Sequence, residues 1–212
     1  MPNNVKEEKM KIILIRHGES IDDTLDCYGG AADFALSEPG IHAAQEVAQS
    51  LSKITVDKIY SSPLERAKQT AEAIDAVKKC GITTIPDLRE RNSYGVLSGC
   101  NREMSKDIFG YLLDSFKGKP GDYYSDELVL GAEPRLEFDK RIKDALNSLA
   151  SDASKNGHST VVVVTHGNVT RSIYQNILNY GKKIHLDLLA KTIIEYDNCT
   201  FSLISKESVH DK

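Results

Sequence analysis

Two short aliphatic runs in this chain each lead into a His-Gly pair. Residues 11–15 read KIILI and precede His17-Gly18, and residues 160–164 read TVVVV and precede His166-Gly167. Unbroken apolar runs of this length predict strands buried on both faces, as in a parallel sheet. Ligands of open α/β sheets bind beyond the carboxyl ends of the strands. The two imidazoles are therefore predicted to meet in one crevice.

Helical and strand patterns alternate along the rest of the chain. Apolar residues at helical spacing predict helices beginning near Ser37, running from Ser62 to about Gly81, and covering about 138–149 and 167–178. Residues Ile41, Ala44, Ala48 and Leu51 would form the buried face of the first helix, and Ser62, Pro63 and Glu65 the capped start of the second. Strands are predicted over 56–60, 192–196 and 200–204. This alternation predicts an α/β fold, a three-layer α/β/α sandwich around a mainly parallel sheet.

The length of 212 residues fits a single domain. We expect that domain to cover 11–212, after a frayed N-terminus at 1–10. Residues 100–134 contain glycines, two prolines and several aromatic residues, and this segment is too long for an ordinary connection. It is predicted to be partly helical or to form a lid over a functional site.

Composition narrows the range of partners and locations. The formal net charge is −4, which does not indicate a nucleic-acid-binding surface or a polybasic membrane patch. No apolar run approaches the roughly 20 residues of a membrane helix, and the polar start MPNNVKEEKMK lacks a signal-peptide core. The four cysteines form no Cys-x-x-Cys pair and read as free structural thiols. These features predict a cytoplasmic protein that binds neither nucleic acid nor membrane, and they are compatible with a homodimer.

Charged residues near the His-Gly pairs favour a local anion site. Arg16 directly precedes the first pair, and Arg66 lies in the first turn of a predicted helix, where a cation meets the unfavourable end of the helix dipole. The chain has no Walker loop, no Gly-x-Ser-x-Gly elbow, no Gly-x-Gly-x-x-Gly loop and no cysteine followed six positions later by arginine. These exclusions leave histidine as the candidate nucleophile.

Five blocks of the sequence resemble the histidine phosphatase superfamily in its phosphoglycerate-mutase-like branch (branch 1). They are RHGES at 16–20, LSEPG at 36–40, SSPLERAKQTAEAI at 61–74, LRERNSYGVLSG at 88–99 and VVVVTHGN at 161–168. The resemblance extends over about 11–205, and it implies a phosphoglycerate-mutase-like fold with a small lid insertion.

This resemblance also implies a mechanism without metal. His17 would carry the phosphoryl group as a covalent intermediate, and Arg16, Arg66 and His166 would surround its oxygens. The Gly18 carbonyl would accept a hydrogen bond from the second ring nitrogen of His17, and Glu90 would donate a proton to the leaving group. The implied substrate-binding residues are Arg16, Gly18, Ser20, Asp23, Gly30, Arg66, Tyr94, Arg102, Gly167 and Asn168, of which Ser20 and Asn168 are equally explicable as helix caps.

Some features of this sequence favour mutase activity and others favour phosphatase activity. The resemblance to mutases includes YGVLSGCNR at 94–102, with Arg102 where mutases usually have lysine, and His166-Gly167-Asn168. Asp23, however, replaces the usual asparagine, and the paired arginines of the mutase cover are absent from 103–134. That segment contains Lys106, Lys117 and Lys119 with Phe109, Tyr111, Phe116, Tyr123 and Tyr124.

We therefore expect hydrolysis of a small phosphorylated substrate, a phosphomonoester, without a cofactor. One alternative is a phosphoglycerate mutase, which would depend on 2,3-bisphosphoglycerate. A second is a module that binds a phosphoryl ligand but has little or no turnover.

Overall fold

The computed structural model describes residues 9–114 and 129–212. Six strands form one sheet: β1 (Met10–Arg16), β2 (Lys58–Ser61), β3 (Ile82–Thr84), β4 (Thr160–Thr165), β5 (Ile184–Asp197) and β6 (Thr200–Asp211). The helices of the described part are α1 (Ile21–Thr24), α2 (Glu38–Ser50), α3 (Glu65–Lys78), α4 (Arg102–Asp114), α5 (Arg135–Lys155) and α6 (Gly167–Asn176).

The sheet is mainly parallel, as predicted. Its strand order is β3-β2-β4-β1-β5-β6, and β3, β2, β4 and β1 run parallel to one another. Strand β5 is antiparallel to both of its neighbours. The two central strands β4 and β1 are those that lead into the His-Gly pairs, and their last residues Arg16 and Thr165 are paired in register.

Helices cover both faces of the sheet, because the side chains of the central strands point alternately to opposite sides. Ile12 and Leu14 of β1 pack with residues of α5 and α6 in one core cluster. Ile13 and Ile15 pack with residues of α2 and α3 in a second cluster on the other face. The three-layer α/β/α architecture predicted from the sequence is thus confirmed.

Two helix starts differ from the sequence prediction. Leu64, not Ser62, is the N-cap residue of α3, and the Ser62 hydroxyl accepts a hydrogen bond from the Leu64 amide at 3.2 Å. In α2, Ile41 is 40% exposed, whereas Ala44, Ala48 and Leu51 are buried as predicted. In the first turn of α2, Gly40 rather than Ile41 packs against the rest of the chain. A Cβ atom at Gly40 would lie 2.1 Å from the Glu19 carbonyl oxygen.

Strand lengths were the least predictable feature of the sheet. The short edge strand β3 has no sequence prediction, and β5 begins eight residues before the predicted 192–196. A register shift between Leu186 and Lys191, with Leu189 at a positive φ of 58°, interrupts β5. Residues 184–188 read IHLDL and alternate apolar and polar side chains, so the first half of β5 had a period-two signal, which the bulge separates from 192–196.

The predicted lid and N-terminus lie partly outside the described residues. Helix α4 shows that 102–114 is helical, as one of the two readings of that segment expected. The cover residues Phe116, Lys117, Lys119, Tyr123 and Tyr124 lie outside the described part, as do residues 1–8 of the predicted frayed terminus. Met10 is 1% exposed and begins β1, so the prediction of a frayed segment reaching residue 10 was wrong at its end. Within the ranges that the structure describes, no helix has the length and apolar character needed to span a membrane.

Candidate active site

The two His-Gly pairs lie side by side at the carboxyl ends of β1 and β4. The His17 amide donates to the Thr165 carbonyl at 2.9 Å, which extends the pairing of the two strands by one residue. The ring centroids of His17 and His166 are 5.1 Å apart. Both rings are buried, with 6% and 0% of their residues' surface exposed.

The surroundings of His17 favour a neutral ring with a reactive lone pair. Its Nδ1 lies 2.7 Å from the Gly18 carbonyl oxygen, which can only accept, so Nδ1 carries the proton and Nε2 the lone pair. Burial, followed by the charges of Arg66 and Arg16, holds the pKa of His17 well below 6.5. Nε2 therefore keeps, at neutral pH, the unprotonated lone pair that a nucleophile requires.

His166 is oriented by Ser62. The His166 Nε2 lies 2.6 Å from the Ser62 hydroxyl oxygen. With the hydrogen of the Ser62 hydroxyl directed to Nε2, the ring proton of His166 lies on Nδ1. Nδ1 is buried and has no hydrogen-bond partner among the described residues. Burial is the main reason that the pKa of His166 lies well below 6.5, and the neighbouring His17, Arg66 and Arg16 lower it further.

Arg66 is a buried cation held by neutral acceptors. It is 2% exposed, and its Nη1 and Nη2 donate to the carbonyls of Ala32 at 2.8 Å and Gly30 at 3.1 Å. Its Nε donates to Nε2 of His17 at 3.3 Å. Main-chain carbonyls thus fix the guanidinium while leaving its full positive charge beside His17, which agrees with the sequence expectation that this arginine requires an anionic partner.

Arg16 approaches the same point from the end of β1. Its Nη1 donates to the Leu186 carbonyl in the β5 bulge at 2.6 Å. Its Nε is buried and, within the described part of the chain, lacks a hydrogen-bond partner. Burial is the main cause that lowers the pKa of Arg16 from its usual range. Together, Arg16 Nε and His166 Nδ1 are unused donors next to the His17 ring, an arrangement suited to binding an oxyanion.

Glu90 lies at the N-terminus of α6. Its two carboxylate oxygens accept from the Arg91 amide at 2.8 Å and the Asn168 amide at 3.1 Å. The carboxylate borders the same pocket as His17, so it can reach a group bound there. Its identification as the proton donor remains a prediction.

These residues surround a pocket of about 230 Å³. Ten of the residues predicted for the site border it, namely Arg16, His17, Asp23, Gly30, Arg66, Glu90, Tyr94, Arg102, Gly167 and Asn168. Three others do not border it: Gly18 and His166, which both lie beside His17, and Ser20, which is fully buried as the N-cap of α1 in a capping box with Asp23. For Ser20 the structure thus favours the helix-cap alternative, whereas the N-cap of α6 is His166 and not Asn168.

Four pocket residues were not among the predicted ones: Asp22, Cys27, Gly29 and Arg171. Arg171 had a detectable signal, because it lies three residues after Asn168 and therefore on the same face of a helix that starts at the site. Asp22 and Cys27 had no such signal, since the short helix α1 and the turn after it place them there. No group of three or more His, Cys, Asp and Glu side chains in the described ranges could hold a metal ion.

Comparisons with known proteins agree with this arrangement. The sequence model of the histidine phosphatase superfamily (branch 1) matches residues 12–208. The chain is 32% identical over 178 residues to phosphoglycerate mutase-like protein 4 of Arabidopsis thaliana, covering 82% of this chain and 74% of that protein. It is also 32% identical over 175 residues to a metal-independent phosphoserine phosphatase of the same plant, covering 82% and 71% of the two chains.

A solved structure shows the same fold. The crystal structure of phosphoglycerate mutase from Bacillus anthracis superposes with a TM-score of 0.80 at 24% identity, covering 93% of this chain and 92% of the other. The family match extends over nearly all of the described strands and helices, including both His-Gly pairs. This chain belongs to the histidine phosphatase superfamily, branch 1.

Proposed function

We propose that this protein hydrolyses a small phosphomonoester through a phosphohistidine intermediate on His17. One observation carries the proposal. Arg16 Nε and His166 Nδ1 are buried near the neutral His17 ring, and neither has a hydrogen-bond partner among the described residues. A buried donor without a partner costs roughly 1–3 kcal/mol, and a phosphoryl oxygen would remove that cost. The charge of Arg66 would stabilise the same group.

In the first step, Nε2 of His17 attacks phosphorus and the bond to the leaving oxygen breaks. Glu90 donates a proton to that oxygen, so the product leaves as a neutral alcohol. In the second step, water attacks the phosphohistidine, Glu90 takes a proton from it, and His17 and inorganic phosphate are released. Arg16, Arg66 and His166 would bind the equatorial oxygens in both steps, where negative charge is spread in the transition state.

Metal independence is part of the proposal. Two guanidinium groups and one ring N–H converge on the place where a metal ion would otherwise neutralise the phosphoryl oxygens. One of the similar Arabidopsis proteins is named as a metal-independent phosphoserine phosphatase, which supports this reading. A phosphorylated small molecule as substrate and a cytoplasmic location complete the proposal.

Phosphoglycerate mutase activity is the second candidate. Arg102 borders the pocket in the place where mutases usually have a lysine, and a mutase-like protein is as similar to this chain as the phosphatase is. Rapid conversion of 3-phosphoglycerate in the presence of 2,3-bisphosphoglycerate, without release of inorganic phosphate, would favour this candidate over hydrolysis.

Trapping the intermediate tests the proposal. The protein is mixed with p-nitrophenyl phosphate in the presence of a chelator, quenched in alkali to preserve acid-labile phosphohistidine, and analysed by mass spectrometry of its peptides. We expect one phosphoryl group on the peptide that contains His17, and neither the adduct nor turnover in His17→Ala. Hydrolysis without an adduct would refute the covalent mechanism, and phosphate binding without hydrolysis would identify a binding module instead.

A further inference from the structure

Arg171 is a pocket cation to which the phosphatase mechanism gives no role. It lies on α6, one turn after Asn168, and is half-buried. A Cβ atom added at Gly167 would lie 3.5 Å from Nη1 of Arg171 and 3.7 Å from Nε of Arg16. The two guanidinium groups therefore both approach the Cα of Gly167 and lie on the same side of the pocket.

Arg171 forms no direct ion pair with a carboxylate in the described ranges. Its hydrogen-bond partner within the described ranges is the Asn168 side-chain oxygen, at 3.3 Å. The pocket carboxylates are engaged elsewhere. Asp22 accepts from the Ser20 hydroxyl at 2.6 Å, Asp23 accepts from the Ser20 amide at 3.1 Å, and Glu90 accepts from two backbone amides.

Arg102, the other outer cation of the pocket, differs from Arg171 in this respect. Its Nε lies 3.1 Å from a carboxylate oxygen of Asp26, and its guanidinium carbon is 4.4 Å from the Tyr28 ring centroid. Arg102 thus has a counter-ion within the protein, whereas Arg171 has a neutral amide. A guanidinium kept beside another cation without a counter-ion is unfavourable unless an anion binds to it.

Arg171 borders the same pocket as His17 and Arg16, and its guanidinium approaches Gly167 as that of Arg16 does. The phosphoryl oxygens would already have Arg16 Nε, His166 Nδ1 and Arg66 as donors. An anion at Arg171 would therefore be a second group of the same substrate, separate from its phosphate.

We infer that Arg171 binds a carboxylate on the leaving group and so makes the enzyme selective for phosphomonoesters of hydroxy acids. A guanidinium offers two parallel N–H donors that match the two oxygens of a carboxylate. The pocket of about 230 Å³ has room for a small substrate in which the phosphate and the carboxylate are a few bonds apart. This inference rests on the proposed hydrolysis and adds to it the class of substrate and the residue that selects it.

Two pairs of substrates isolate the carboxylate. Glycerol 3-phosphate has a CH2OH group where 3-phosphoglycerate has its carboxylate, and phosphoethanolamine lacks the carboxylate of phosphoserine. Release of inorganic phosphate is measured for all four compounds with the wild type, Arg171→Met, Arg171→Lys and Arg102→Met. Methionine keeps the length of the side chain without its charge, and lysine keeps the charge without the paired donors.

We expect the wild type to prefer the carboxylated member of each pair. Arg171→Met should lower kcat/KM for the two carboxylated substrates by about 10- to 100-fold, the effect of losing a charged hydrogen-bond partner. Its activity on glycerol 3-phosphate should change by less than about threefold, which also shows that the variant is folded. The kcat/KM of Arg171→Lys for the carboxylated substrates should lie between the values of the wild type and Arg171→Met. Arg102→Met should reduce the preference for the carboxylated substrates less than Arg171→Met does.

Different outcomes separate this inference from the proposed function. Equal activity of the wild type on both members of each pair, or equal losses on both in Arg171→Met, would overturn the role of Arg171 and leave the hydrolysis intact. The absence of phosphate release from all four compounds and from p-nitrophenyl phosphate would instead overturn the proposed hydrolysis.

Discussion

At the scale of single residues, the site combines a neutral buried imidazole with arginines, such as Arg66 and Arg171, whose hydrogen-bond acceptors are neutral groups. His17 is kept unprotonated by burial and by the adjacent guanidinium groups, so the environment that would attract a phosphate also leaves the nucleophile in its reactive form. The free-energy cost of burying donors without a partner is carried by the folded protein. Little reorganisation would then be needed when a phosphoryl group binds.

The role of Glu90 can be tested through the leaving group. Glu90→Gln removes the acidic proton and keeps the size of the side chain, but only one of its two terminal atoms can still accept from the amides of Arg91 and Asn168. We expect kcat/KM for alkyl phosphates to fall by about 10²–10⁴-fold, and that for p-nitrophenyl phosphate to fall far less, because its phenolate leaves without protonation.

Glu103→Gln, on the exposed part of α4 beside Lys106, is the control and should keep wild-type activity on both substrates. Similar losses on both substrates in Glu90→Gln would show that another group donates the proton.

At the scale of secondary-structure elements, the first turn of α2 supports the segment that follows β1. The Ser37 amide and hydroxyl lie 3.0 Å and 3.5 Å from the Glu19 carbonyl oxygen. A Cβ atom at Gly18 would lie 3.0 Å from the Gly40 carbonyl oxygen, and one at Gly40 would lie 2.1 Å from that of Glu19. The close approach of two glycines therefore sets the position of the Gly18 carbonyl that orients His17.

Substitution of Gly40 should reveal this support. Gly40→Ala places a methyl group against backbone that has no flexible side chain to move away, so we expect a loss of about 1–3 kcal/mol in the free energy of unfolding. Activity should also fall, because the segment that carries Gly18 must shift.

Gly181→Ala is the matched control, since a Cβ atom there meets nothing within 4 Å and its φ is not positive. Urea unfolding and initial rates compare the two variants. Equal stability of both would contradict the close packing.

At the scale of the whole molecule, the site makes stability depend on pH. His17 and His166 are neutral in the folded protein, because burial and then the charged neighbours hold each pKa well below 6.5. In the unfolded chain each imidazole titrates near its ordinary pKa of about 6.5. Below that pH the unfolded chain binds protons that the folded protein does not. The free energy of unfolding is therefore retained above about pH 6.5 and falls as the pH decreases further.

The slope of this loss is measurable. Each of the two imidazoles should contribute up to about 1.4 kcal/mol per pH unit below pH 6.5. Urea unfolding between about pH 8 and pH 5 should show a smaller slope for His166→Gln than for the wild type. His42→Gln, exposed on α2, should keep the wild-type slope. A free energy of unfolding that is independent of pH over this range would contradict the burial of two neutral rings.

Local patterns were enough to predict most of the fold. Unbroken aliphatic runs identified the two central strands, and helical spacing identified α2, α3, α5 and α6. They failed where tertiary contacts compete with local preference. Ser62 has the sequence context of an N-cap but lies beside His166, 104 positions away, because β2 and β4 are neighbours in the sheet.

The sequence by itself determined the α/β class, the meeting of two His-Gly pairs at adjacent strand ends, and membership of the family. These follow from hydrophobic periodicity and from short motifs whose residues are close along the chain. Only the tertiary structure decided which buried polar atoms lack a partner, that Ser62 contacts the His166 ring, and that Arg171 borders the pocket. The reason is physical: hydrogen-bond satisfaction and charge compensation depend on atoms brought together by strand order, which no local stretch of sequence specifies.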